Sequence, residues 1–145
     1  MKVRTSIVLL TLTLCAASAR AQDDEGVRLL LGRIERIVQA GDTPAYLALM
    51  SGTADRTRAL DFAGTELMPG ANRSVLQERD RLPLQGSLPG NGYRLMVDVM
   101  TEFGSRARIA TWRLDVTRTG AGGTDREWTI AEQERISSVE SLYRV

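Results

Sequence analysis

Apolar side chains recur along this chain with two different periods, and the change of period divides it. From Val27 to Val38 they fall at offsets 0, 3, 4, 7, 10 and 11, as Val27, Leu30, Leu31, Ile34, Ile37 and Val38. That stripe predicts an amphipathic helix, with Arg28, Arg33, Glu35 and Arg36 on its wet side. Gly41 stops it. Thr43 as cap and Pro44 at the first helical position open a second, short helix through Met50, whose Tyr46, Leu47 and Met50 share a face. Asp55 to Thr65 carries Ala59, Leu60, Phe62 and Ala63 and reads as a third helix.

Beyond Met68-Pro69-Gly70 the period falls to two. Ser74 to Leu82 reads as a first strand, and Pro83 places its far end at a sheet edge or in a bend. Gly86 to Gly92 is a loop. Tyr93 to Phe103 alternates apolar and polar side chains, Gly104-Ser105 turns the chain, and Arg106 to Arg118 returns. A glycine-rich loop from Gly120 to Asp125 then leads into a further strand that starts over Glu127 to Ala131. Strands joined by short loops pair antiparallel, so the second half is a meander. Ala107 and Ile109 stand on odd positions, whereas Trp112, Leu114 and Val116 stand on even ones. One face holds all five only if an extra residue lies near Ala110-Thr111, a bulge that bends the sheet. Helices packed into the concave side of a curved antiparallel sheet make an α+β cone. Trp112 and Trp128, on adjacent strands, belong to its core.

The start of the chain changes the size of the folded part. Lys2 and Arg4, the apolar run Ile7 to Leu14 and the small residues Ala19-Arg20-Ala21 compose a secretory signal peptide over residues 1–21. Cys15 raises the lipoprotein alternative, but Leu14 occupies the place where such a signal wants a small residue. Cleavage after Ala21 leaves one domain, residues 22–145, periplasmic or secreted and without a membrane-spanning segment. It removes Lys2, Arg4 and Arg20 from the 19 basic residues, so 16 arginines face 18 acids, a balance of −2. Both signs are interspersed, which excludes a nucleic-acid footprint. The mature chain has no cysteine and no histidine. It therefore lacks disulfides, thiolate or imidazole metal ligands and the commonest general base, and no cofactor motif is present.

The order of three helices and then a curved sheet of four to five strands resembles the nuclear-transport-factor-2-like superfamily, the cystatin-like cones. Ala40 to Leu49 is similar to the family's junction of first and second helices. Arg106 to Val116, followed by Glu127 to Ile130, is similar to its last strand pair. A further likeness lies at the end, where Trp128 to Val145 resembles the close of the leading domain of secreted bacterial metallopeptidases of the aminopeptidase-N type. No His-Glu-x-x-His is present, so this second resemblance implies an exported, non-catalytic accessory or binding module, formerly the leading part of a larger envelope protein. The apolar ending at Leu142 to Val145, like a cut strand, agrees with that expectation. Its partner is then a small ligand or a downstream domain. The alternative is a small cone enzyme of isomerase, dehydratase or hydrolase type. Self-association as a homodimer through the open sheet face is the third use.

The cone resemblance implies a site at the mouth, built from acids with a tyrosine or arginine. The candidates are Tyr46, Asp98, Arg113, Glu132 and Glu134, with Arg79 and Arg81 nearby in the pattern. If Trp128 and Ile130 face the core, a period of two sends Glu132 and Glu134 to the same face, where a carboxylate needs a partner. Asp98, Arg113 and Asp115 match the Asp-Arg-Asp set of epoxide-opening cones. Tyr46 matches the oxyanion donor of ketosteroid-isomerase-like members. Against these stand ordinary readings: solvated acids, alternating charge on an exposed sheet face, and a tyrosine that packs its ring.

Overall fold

The computed structural model describes residues 25–119 and 128–142. The stretch read as a signal peptide, the residues up to 24, the glycine-rich loop and the last three residues lie outside that range. Helix α1 spans residues 25–40, α2 Thr43–Leu47 and α3 Arg56–Glu66. Four strands follow: β1 Arg73–Pro83, β2 Gly92–Phe103, β3 Arg106–Arg118 and β4 Trp128–Leu142. They form one antiparallel sheet in the order β1-β2-β3-β4. Among the described residues no helix is long and apolar enough to cross a membrane.

The predicted stripe of α1 does the packing. Val27, Leu30, Ile34 and Val38 are buried against the inner, concave face of the sheet, where Leu95, Val97 and Val99 of β2 meet Leu114 and Val116 of β3. The helix ends in a Schellman motif, with Gly41 N donating to Val38 O and Asp42 N to Ile37 O, both at 3.2 Å. Gly41 takes φ of 63°, and a Cβ there would meet the Pro69 Cα at 2.9 Å, so both backbone angle and space demand glycine. Asp42, rather than Thr43, caps α2: its side chain accepts from Ala45 N at 3.0 Å, one residue earlier than the sequence pattern implied. The second helix is also shorter than expected. Met50 has left it and bridges to Ile130, with Ser51 N donating to Ile130 O and Ile130 N to Leu49 O, each at 2.8 Å. This stitch ties the helical half to the start of β4.

The two edges of the sheet are treated differently. On β1, Leu76 N donates to Glu35 Oε2 at 2.8 Å and Ser74 N to Gln39 Oε1 at 3.2 Å, so α1 occupies edge donors with side chains. Curvature comes from the outer strands. The β2–β3 register runs without interruption, whereas Arg79 in β1 and Ala131 and Ile136 in β4 each have no partner in the ladder. The extra residue predicted in β3 near Ala110-Thr111 is therefore not there. Its neighbour β4 carries the bulge opposite Thr111 and Trp112, and β3 keeps a strict period of two. Arg108, Ala110, Trp112, Leu114 and Val116 point inward, while Ile109 is 51% exposed on the outer face. Trp112 and Trp128 are both core residues, at 1% and 3% exposure.

Candidate functional site

Helix α3 brings a carboxylate into the cone. Asp55 caps its start by accepting from Arg58 N at 3.1 Å. From there the helical spacing puts Ala59, Ala63 and Glu66 on one buried stripe, with Phe62 beside them. The Glu66 side chain is 1% exposed. A bare carboxylate at that depth is very costly, so its partners decide what it can do.

Those partners come from two strands. Trp112 Nε1 donates to Glu66 Oε2 at 2.8 Å, and the buried Arg108 guanidinium donates to the same oxygen through Nη2. Arg135 Nη1 reaches Oε1 at 3.2 Å from a side chain that is 45% exposed. The two oxygens are thus unequal. Oε2 is locked by two buried donors, and Oε1 carries one donor that water can reach. Tyr46 lies close by. Its ring stacks on Phe62 with centroids 5.8 Å apart, and Phe62 meets Trp112 edge-on at 5.0 Å. The Tyr46 hydroxyl is fully buried and has no hydrogen-bond partner among the described residues. Burial, and then the nearby Glu66 charge, push its pKa far above the ordinary phenol value, so it stays protonated and remains a donor.

Past Arg108 the inner face ends in a cleft of about 380 Å³, walled by Met68 of the α3–β1 connection and by the far ends of β2, β3 and β4. A second hollow, of about 510 Å³, opens beside the first part of β4 among Arg58, Arg94, Asp115 and Glu132.

Of the residues singled out from sequence, only Tyr46 belongs to the inner cluster. Glu132 and Glu134 stand on the outer face, not on the face of Trp128 and Ile130. The bulge at Ala131 adds one residue and inverts the alternation, so Glu132 pairs in register with Asp115 and Glu134 with Arg113. They are about half-exposed and lie 3.7 and 3.2 Å from Arg113. Asp98, also outward, accepts from Thr111 Oγ1 at 2.8 Å and has Arg79 at 3.4 Å. Asp115 is gripped by Arg94 through two bonds of 2.8 Å. Asp98, Arg113 and Asp115 hence sit in separate outer-face pairs and form no set. Arg81 faces inward on β1 and forks onto Glu78 at 2.6 and 2.8 Å. Glu66, Arg108 and Arg135 were missed. Signals existed for two of them: Glu66 continues the Ala59–Ala63 stripe, and Arg108 shares the even parity of Trp112.

No protein-family model matches the chain, and no curated protein matches its sequence. Solved structures do match its backbone. A scytalone dehydratase-like protein from Novosphingobium aromaticivorans superposes with a TM-score of 0.57 at 9% identity, over 89% of this chain and 93% of that one. LinA superposes at 0.58 with 12% identity, over 87% and 92%. A type 2 hexachlorocyclohexane dehydrochlorinase, also LinA, gives 0.55 at 12% identity, over 89% and 97%. The chain has the fold of a nuclear-transport-factor-2-like cone. At these identities the likeness establishes the fold alone. It nevertheless corrects the reading of this cone as the non-catalytic leading module of a metallopeptidase-like protein. The solved cones that match it over nearly their whole length are named as a dehydratase and dehydrochlorinases, not as parts of a peptidase.

Proposed function

We propose that this cone is a small acid/base enzyme that catalyses an elimination on a small organic substrate, with Glu66 as proton acceptor and Tyr46 as hydroxyl donor. The observation that carries the reading is the asymmetry of the Glu66 carboxylate. Trp112 and Arg108 hold Oε2, which fixes the group's orientation. Among the described residues Oε1 meets only the half-exposed Arg135. A base must be aimed as well as basic, and a carboxylate pinned by one oxygen aims the other. Histidine is absent from the chain, so a carboxylate is the natural candidate for proton abstraction.

In the proposed step Arg135 swings off, and Oε1 takes a proton from a substrate carbon. The C–H electron pair becomes the new C=C bond, and the leaving group departs from the adjacent carbon with its bonding pair. Tyr46 donates a hydrogen bond to the departing atom. The fold neighbours support this reaction type, because their names denote loss of water and of hydrogen chloride.

The test is a panel of small β-hydroxy ketones, ring-bearing β-hydroxy carboxylic acids and halogenated cyclohexanes, followed by NMR for alkene and by electrode for halide. Glu66→Gln, shown by circular dichroism to be folded, should lower turnover by about 100-fold or more. Unchanged turnover in that variant, or no turnover of any panel member by the wild type, rejects the reading. The same reading takes the enzyme to be exported, on the strength of the signal segment at residues 1–21. A mature protein beginning at Gln22 by N-terminal sequencing is the expected result, and retention of Met1 the opposing one.

A further inference from the structure

The cleft beside the buried carboxylate has its own unmet chemistry. Met68, Phe103, Ala107 and Leu142 give it apolar walls, and Arg106 and Arg108 are its cations. Arg108 is the informative one. Its Nη2 is committed to Glu66. Nη1, on a side chain only 9% exposed, has among the described residues just the Met68 sulfur at 3.2 Å and the Thr65 carbonyl at 3.5 Å. A thioether accepts weakly, and 3.5 Å is the outer limit of a hydrogen bond. A guanidinium drawn this far from water ordinarily meets a strong acceptor on each donor edge. Arg106, two residues back on the same side of β3, is exposed and makes no ion pair among the described residues. Glu140 also lines the cleft, but it is exposed and leaves Arg108 Nη1 unserved. The volume lies within the usual range for a small-molecule site, roughly 300–1,000 Å³.

We propose that this cleft binds a small organic carboxylate carrying a ring. The head group sits on Arg108 Nη1 and Arg106, and the ring lies between Met68, Phe103 and Leu142. Arg108 then bridges two carboxylates, the protein's own on one edge and the ligand's on the other. This names the substrate class for the elimination proposed above and rests on that reading for turnover only, since binding stands by itself.

The probes are 2-naphthoate and its neutral isostere 2-naphthamide, titrated into the full chain by calorimetry and by amide chemical shifts. The acid should bind with sub-millimolar affinity and shift Met68, Phe103 and Arg108, while the amide binds about tenfold more weakly. Arg106→Ala and Phe103→Ala, both at the rim, should each weaken the acid several-fold. Equal binding of acid and amide overturns the proposal, and so do shifts confined to other parts of the sheet. The two proposals separate through Glu66→Gln. Specific naphthoate binding with turnover unaffected by that variant sinks the acid/base reading alone. Turnover abolished by it while naphthoate fails to bind the wild type sinks the carboxylate site alone.

Discussion

The two faces of this sheet carry the same kinds of charged side chain and put them to different use. On the outer face, Arg113 with Glu132 and Glu134, and Arg79 with Asp98, pair across neighbouring strands in contact with water. Among the described acids of that face only Asp115 is deeply covered, and its Arg94 fork stays 42% exposed. Exposed pairs of this sort are screened and each contributes little. Inside the cone the carboxylate of Glu66, carried by α3, lies among apolar side chains and aromatic rings, with two guanidiniums and an indole on it. There the desolvation cost is large, and every partner matters. Charge on the outer face therefore serves solubility and register. Inside, it marks a place where chemistry can happen.

The sharpest way to break that contrast is Arg108→Met. It leaves Glu66 with Trp112 and the half-exposed Arg135, and should cost about 3–5 kcal/mol in denaturant unfolding. Adding Glu66→Leu to the same chain should recover most of the loss, because no stranded charge remains. If the single change costs no more than an outer-face change, the inner cluster is not special.

A smaller effect is expected at Tyr46. Its phenol has a raised pKa in the folded state, from burial first and from Glu66 second. The neutral form is favoured by folding, so the associated stability is complete below the ordinary phenol pKa of about 10 and is lost above it. Stability should fall by up to about 1.4 kcal/mol per pH unit in that alkaline range. Tyr46→Phe should remove this dependence. It also deletes a buried hydroxyl without a partner, so at neutral pH it should leave stability within about 1 kcal/mol or raise it. Unfolding curves across the alkaline range check both points, and an unchanged slope in the variant would show that the charge sensed lies elsewhere.

Least of all should happen on the outer face. Glu134→Gln removes one half-exposed partner of Arg113, 54% exposed itself, and should change stability by less than about 1 kcal/mol. A larger loss would make the outer ladder part of the structural frame and narrow the difference between the faces.

Much of the architecture was legible in the chain because its causes are local. The stripe from Val27 to Val38, the stop at Gly41, the alternation from Tyr93 to Phe103 and the turn at Gly104, whose φ is 53°, are each set within a few residues. Within the candidate site legibility was partial. Tyr46, one of the candidates, does lie in the inner cluster, buried and stacked on Phe62. Glu132 and Glu134 were assigned to the wrong face by extending the parity of Trp128 and Ile130 through Ala131. Counting by twos has no means of noticing an unpaired residue, since a bulge is defined against the neighbouring strand.

The sequence alone determined which segments coil, which extend and which side chains seek a core, because steric and hydrophobic periodicities act over one or two turns. Tertiary structure alone decided where the charged groups meet. Glu66 finds Arg108 at a separation of 42 residues and Arg135 at 69. Arg135 turns inward only after the bulge at Ala131 has inverted the parity of β4. Such pairings depend on register and on the curvature that bulged outer strands impose. Both are properties of strands laid side by side, and neither is encoded in the spacing along one of them.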